Sequence, residues 1–315
     1  MQQRALGGSG LTVGAIGLGC MGMSFAYDSG HRDEQESMAV IGAALDLGVT
    51  LIDTADAYGP YTNEQLVGRA LRGRRDEAVV ATKCGVVTSP DFNHGRDASP
   101  DHIRTSCEGS LRRLGIEVID LYQLHRVDPR VPVEESWGAF AELVAAGKVR
   151  AIGVSELTVD ELTRCHAIHP VATVQSELSL WTRDWADDVL PWCTDNSVAF
   201  LPFSPLGRGF LTGTVRPDQI APDDFRATMP RFTPEGLAAN QSIVDEVRRI
   251  ALSHDATPGQ VALAWLLAQG PGVVPIPGTK RRSRLAENSA AADLRLSSAD
   301  LATLDGLPAA VGARY

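Results

Sequence analysis

The chain has 315 residues, 44% hydrophobic and 22% charged, which is a globular balance with material for one large core or two average domains. Its 29 basic and 39 acidic side chains leave a formal charge of −10, which repels phosphate backbones and anionic membranes, so neither nucleic acid nor membrane is an expected partner. The five cysteines lack CxxC spacing, so no disulfide framework or zinc site is expected, and no apolar run reaches the ~18 residues of a membrane span; a soluble, cytoplasmic protein is expected.

The first element expected is a hairpin over RALGGSGLTV, with Gly-Gly-Ser-Gly as its turn. Short β-branched runs and helical patterns then alternate. Strands are expected at Ala15–Gly17, Thr50–Asp53, Ala78–Thr82, Val118–Gln123, Arg150–Val154, Thr173–Gln175, Ala199–Phe203 and Val273–Ile276. Helices are expected at Asp33–Leu47, Asn63–Leu71, Pro100–Leu114, Val133–Ala146, Asp160–Ala167, Asp187–Asn196, Leu237–His254, Pro258–Gln269 and Arg281–Ala292. Strands that alternate with helices imply a parallel sheet. Eight repeats without a linker predict an α/β fold, a (β/α)8 TIM barrel with an N-terminal β-hairpin, as a single domain over residues 1–315.

A barrel places its functional residues just past the C-terminal ends of the strands. The second, third and fourth strands end at Asp53, Lys83 and His125, and Tyr58 lies in the turn after Asp53. A phenol has an ordinary pKa near 10. An ammonium beside it favours the phenolate, so Lys83 is expected to lower Tyr58, with Asp53 holding Lys83 charged. His125 supplies a hydrogen bond at a substrate oxygen. Together the four describe a general acid for a carbonyl oxygen, whose carbon receives a hydride from a cofactor.

The stretches LIDTADAYGP, VVATKCG, DLYQLHRVD, GVSE (Gly153–Glu156), LPFSPLGRGFLTG (Leu201–Gly213) and IPGTKRRSRLAEN (Ile276–Asn288) occur in that order. In them the chain resembles the aldo-keto reductase superfamily, from about Arg4 to Leu307. TMPRF at Thr228–Phe232 is similar to the branch related to potassium-channel β-subunits. QSELSLWTRD at Gln175–Asp184 is similar to a subgroup that reduces aldehydes and ketones.

The resemblance implies Asp53, Tyr58, Lys83 and His125 as the catalytic set, with Tyr58 as proton donor. It implies NADPH/NADP+ as cofactor without a metal. Ser155 and Gln175 would hold the nicotinamide carboxamide, and Phe203 would stack on the ring. Ser204, Leu206, Gly207 and Gly209 would follow the pyrophosphate, where glycines let backbone approach. Gly278, Thr279, Lys280, Arg284, Glu287 and Asn288 would meet the adenosine end. The basic run Lys280, Arg281, Arg282 and Arg284 favours a doubly charged phosphate, and so NADPH over NADH. Many relatives carry Asn where this chain has Glu156, and a carboxylate cannot donate to a carboxamide oxygen.

Gly17-Leu18-Gly19-Cys20-Met21-Gly22 fits GxGxxG, but dinucleotide use of that motif needs a helix opening directly from it. Ser24–Gly30 reads as loop instead, so Gly19 and Met21 belong to a tight turn at the rim that faces the nicotinamide. Met23, Phe25, Tyr27 and Trp181 are candidates for the substrate pocket, with Arg208 and Arg231 as weaker ones. Ser155 equally suits a helix N-cap, and His166 with His169 suits a helix end better than a metal pair.

The expected activity is NADPH-dependent reduction of aldehydes and some ketones, with a small-molecule carbonyl as partner; self-association is left open. An NADPH-binding sensor or regulatory subunit with slow turnover is the alternative, and a barrel lyase or hydrolase is a third reading. The conformation of the loop 216–232 is not readable from its pattern.

Overall fold

A computed structural model describes residues 1–27, 33–88 and 94–314, so the Asp28–Gly30 end of the expected loop lies outside the described residues. The N-terminal hairpin forms, with β1 (Gln3–Ala5) antiparallel to β2 (Thr12–Gly14). Its side chains Leu6, Leu11 and Val13 are buried in one cluster with Leu51, Ala81, Leu121 and Ala151 from the barrel interior, so the hairpin caps the end where the strands begin. Backbone presses on backbone there. A Cβ on Gly7 would stand 2.6 Å from the Ser197 carbonyl, and its φ of +57° suits glycine.

The parallel sheet contains β3 (Leu18–Gly19), β4 (Leu51–Asp53), β5 (Val79–Cys84), a hairpin inserted as β6 (Val86–Thr88) and β7 (His94–Arg96), then β8 (Ile119–Leu124), β9 (Val149–Ser155), β10 (Thr173–Gln175) and β11 (Ala199–Phe200). Its order is β11-β10-β9-β8-β5-β4-β3, while β6 and β7 pair with each other as a separate two-stranded sheet. The segment 273–278 closes the ring. On one side Val274 and Ile276 donate to the carbonyls of Phe200 (2.9 Å) and Pro202 (3.0 Å). On the other, Gly17 and Gly19 donate to those of Pro275 (2.9 Å) and Pro277 (3.3 Å). The eight-staved barrel expected from the pattern is therefore present.

Several expected elements differ from those observed, for local reasons. The first barrel strand lies at Leu18–Gly19 and not Ala15–Gly17, because the Ala15 N–H is taken by Gln2 of the hairpin at 2.8 Å. Regular pairing in the seventh strand stops at Phe200, since Pro202 has no N–H to give; Pro275 and Pro277 interrupt the eighth in the same way. The helix expected over Leu237–His254 is two, Pro234–Ala239 and Gln241–Ser253. They break at Asn240, whose buried amide donates to Gly236 O (2.7 Å) and Val311 O (3.0 Å).

The helix Pro100–Leu114 has the expected limits, opened by Ser99 as N-cap and closed by Gly115 in the left-handed region. A helix at Ser298–Asp305 and the β6–β7 hairpin had no counterpart in the expected pattern. Outside the sheet, Tyr122 meets Phe140 at 5.0 Å and Phe140 meets Trp137 at 5.8 Å, in the core that fixes helix Val133–Ala145 to the barrel. Among the described residues no helix is long and apolar enough to cross a membrane.

Candidate active site

The strand ends bring the four expected residues together. Asp53 closes β4, Lys83 lies near the end of β5, His125 follows β8, and Tyr58 stands in the turn after β4. Lys83 is fully buried, which an ammonium tolerates only with full pairing. Its Nζ donates to Asp53 Oδ1 (2.6 Å), to the Thr54 carbonyl (2.8 Å) and to Tyr58 Oη (3.3 Å). All three protons of the ammonium are thus used, and one points at the phenol. The Tyr58 ring stacks on Phe25 at 6.4 Å and meets the His125 ring edge-on at 5.8 Å.

The electrostatics refine the expected tuning. Burial raises the Tyr58 phenol, and the Lys83 ammonium opposes that rise without reversing it. Lys83 is itself desolvated, which disfavours its charge, but Asp53 and Tyr58 outweigh this and its pKa is raised. The net direction at Tyr58 is therefore upward, not downward as the ammonium alone would have it. The phenol keeps its proton at neutral pH, and Lys83 favours the phenolate once the proton leaves.

A second layer holds the first. Asp53 Oδ2 accepts from Gln175 Nε2 (2.8 Å), and Gln123 Nε2 lies 3.5 Å away. Asn63, fully buried, accepts from Thr54 Oγ1 (2.7 Å) and donates to Cys20 O (2.9 Å) and Ser24 Oγ (2.7 Å). It ties the Asp53–Tyr58 turn to the rim turn Met21–Met23. That turn is 3₁₀, with no helix opening directly from the GxGxxG, as expected. Neither Gln123 nor Asn63 stood out in the sequence, because a buried amide has no pattern of its own.

The residues expected at the nicotinamide end lie along one rim. Ser155 ends β9, while the following helix Val159–Ile168 is capped by Thr158; His169 sits at that helix's end. The Ser155 hydroxyl accepts from Arg126 Nη1 at 2.7 Å. Arg126 and Arg314 bring guanidinium groups to 5.9 and 5.7 Å from the Phe203 ring centre. Gln175 gives its amide to Asp53, one layer below. Arg126 follows His125 directly, yet nothing in its spacing distinguishes it from a surface arginine.

Ser204, Gly207, Arg208 and Gly209 all have positive φ, which folds the loop after Phe203 into a tight cradle with Leu206 inside it. A Cβ on Gly207 would come to 3.0 Å from the Trp181 ring, so backbone alone fits there. Arg208 clamps Glu177 through two 2.9 Å bonds. At the opposite rim, Gly19 bridges to Gly278. Thr279 and Lys280 then lead into helix Arg282–Ala290, which opens without a side-chain cap. Arg281 and Arg282 are exposed there, Arg284 pairs with Glu287 (2.7 Å), and Asn288 is buried. The loop 216–232 contains short 3₁₀ turns at Pro217–Gln219, Phe225–Thr228 and Pro230–Phe232.

The pocket candidates separate. Met21 and Phe25 are half-buried, Phe25 stacked on Tyr58, and Tyr27 lies 5.5 Å from the Arg226 guanidinium. Met23 is buried in the core beside the β3–β4 pair. Trp181 is buried, stacked on Phe210 at 4.0 Å, with Arg231 over its ring at 5.4 Å.

Residues 15–309 match the model of the aldo/keto reductase family. The chain belongs to the aldo/keto reductase family. It is 43% identical over 302 residues to probable aldo-keto reductase 1 of Glycine max, covering 96% of this chain and 87% of that protein. The glycerol dehydrogenase of Gluconobacter oxydans superposes with a TM-score of 0.88 at 32% identity, over 97% of this chain and 94% of that one. An aldo-keto reductase of Klebsiella pneumoniae solved in complex with NADPH does so at 0.76 and 30% identity, over 97% and 94%.

This aldo/keto reductase is thus an oxidoreductase, and its rim fits a phosphorylated dinucleotide. An uncapped helix start next to exposed arginines presents N–H donors and positive charge to a phosphate.

Proposed function

We propose that this aldo/keto reductase reduces aldehydes and some ketones to alcohols with NADPH, with Tyr58 as general acid. The observation that carries the reading is the buried Lys83 ammonium shared between Asp53 and Tyr58. Bound NADPH supplies the hydride. The chain's own part is the proton. The Tyr58 O–H bond breaks as the alcohol O–H bond forms, and Lys83 stabilises the phenolate left behind. Asp53 keeps Lys83 charged and aimed, and Gln175 and Gln123 hold Asp53. His125, edge-on to Tyr58, orients the carbonyl oxygen.

Ser155 would hold the nicotinamide carboxamide and Phe203 would stack on its ring, with Gln175 supporting this end through Asp53. Gly19, Met21, Ser204, Leu206, Gly207 and Gly209 would border the middle of the cofactor. Gly278, Thr279, Lys280, Arg284, Glu287 and Asn288 would take the adenosine end, where the basic run favours the extra phosphate of NADPH. Residues 1–315 act as one catalytic domain in a cytoplasmic setting, a reading supported by five buried, unbridged cysteines.

The test follows nicotinamide absorbance while the protein meets a panel of aromatic aldehydes, with NADPH and NADH in parallel. Aldehyde-dependent oxidation that prefers NADPH is expected. Tight NADPH binding without aldehyde-dependent oxidation would overturn the reading in favour of a cofactor sensor.

A further inference from the structure

Segment 311–314 ends with Arg314 at the rim beside Phe203 and is held at three of its residues. The buried Asn240 side chain accepts from the Val311 N–H (2.8 Å) and donates to the Val311 carbonyl (3.0 Å), pairing with that residue as a strand would. Arg231 Nε donates to Gly312 O (3.0 Å). Arg231 is itself fixed by Trp181 O (2.8 Å) and Thr182 Oγ1 (2.9 Å). At the tip, Arg314 Nε donates to Glu177 Oε2 (2.7 Å) and its Nη2 to Glu156 Oε1. The Arg314 side chain is 15% exposed, and its guanidinium stands beside the Phe203 ring.

This arrangement accounts for Glu156. The residue sits directly after Ser155 with a φ of +57°, where a carboxylate can only accept. Its partners are the guanidiniums of Arg314 and of Arg126, the latter at 3.4 Å. Glu177 is buried and already clamped by Arg208, so it is a fixed post to which Arg314 attaches. The tip is thus joined to the rim by ion pairs to two carboxylates, whereas Val311 is joined through the neutral Asn240 amide and Gly312 through its carbonyl to the Arg231 guanidinium.

We propose that Arg314 is a positioning residue for the nicotinamide end of the cofactor. Through Glu156 and Glu177 it pins segment 311–314 beside Phe203, and the pin opens each time the cofactor enters or leaves. The proposal rests on the reading that Ser155 and Phe203 receive the nicotinamide. A pin of this kind slows entry and exit alike, so its loss changes exchange more than affinity. An ordinary binding contact would slow exit only.

The test is stopped-flow binding of NADPH, read by quenching of tryptophan fluorescence, on the wild type, Arg314→Ala and Arg314→Lys. Arg314→Ala is expected to raise the association and dissociation rate constants together, each by about fivefold or more, with Kd within about threefold of wild type. Arg314→Lys keeps a point charge without the two-carboxylate fork and is expected to fall between. Unchanged rate constants in both variants, or a rise in dissociation alone, would overturn the pin while leaving the reductase reading intact. A wild type that binds no NADPH would overturn both.

Discussion

Gln175 Nε2 lies 2.8 Å from Asp53 Oδ2, an amide donor on the carboxylate whose other oxygen carries Lys83 at 2.6 Å. The two residues are far apart in sequence and meet only because β4 and β10 face each other across the barrel. Asp53 is thereby fixed from two sides, and the ammonium that faces Tyr58 inherits that fixity. The position of the Tyr58 hydroxyl is set by a chain of three hydrogen bonds.

Gln175→Glu would place a second carboxyl against Asp53 in the same buried space. Either one carboxyl takes a proton or Lys83 must serve two acceptors, and both loosen its hold on Tyr58. Stability is expected to fall by about 3 kcal/mol and turnover by roughly tenfold or more. Thermal melts and NADPH oxidation check this; a variant unchanged in both would show that the contact is idle.

Lys83→Met removes the main influence that lowers the phenol. Burial and Asp53 then raise Tyr58 against the smaller opposing charge of Arg126. Turnover is expected to fall by about 10²–10⁴. In the wild type Tyr58 titrates above its ordinary 10.0, so kcat/KM for reduction should stay flat from about pH 6 to 9. A steep decline within that range would contradict the direction assigned to Tyr58.

Below the site, Glu64 is fully buried between Arg113 Nε (2.6 Å) and Thr82 Oγ1 (2.6 Å). Arg113→Ala would strand that carboxylate, at a cost of about 3–5 kcal/mol. Adding Glu64→Gln should recover part of the loss. Denaturant melts of the single and double variants give the answer, and a single variant as stable as wild type would count against a buried pair.

Asp56 has a different signature. Burial first, and then Glu64, push its carboxyl up to about 8, and its Oδ1 has no hydrogen-bond partner among the described residues. Its folded value stands above the ordinary 3.8, so the folded state binds the proton more tightly. The stability this gives is complete below about pH 4 and is lost as pH rises towards 8. Asp56→Asn should flatten that slope, so the variant gains on wild type between pH 5 and 8. Parallel melting curves across that range would show that Asp56 does not titrate there.

The barrel was legible because its strands and helices alternate with clear periods, and the four site residues were legible because each falls at or just past a strand end. The eighth stave was readable as an apolar run, but its prolines leave it bonded through alternate residues only. The supporting shell was not legible. Gln123 and Asn63 are buried amides with no pattern of their own, and Arg126 and Arg314 are arginines like many on the surface. Their partners lie on other strands or turns, far away in sequence, so only the closed fold joins them. The break at Asn240 escaped the helical pattern because its cause, Val311, lies in another part of the chain.

The most direct measurement replaces Tyr58 by Phe and compares NADPH affinity with single-turnover aldehyde reduction in the same preparation. The ring remains to stack on Phe25 while the proton is gone. A Kd within about threefold of wild type and a rate lower by about 10²–10⁴ are expected. A rate equal to wild type would contradict Tyr58 as the acid.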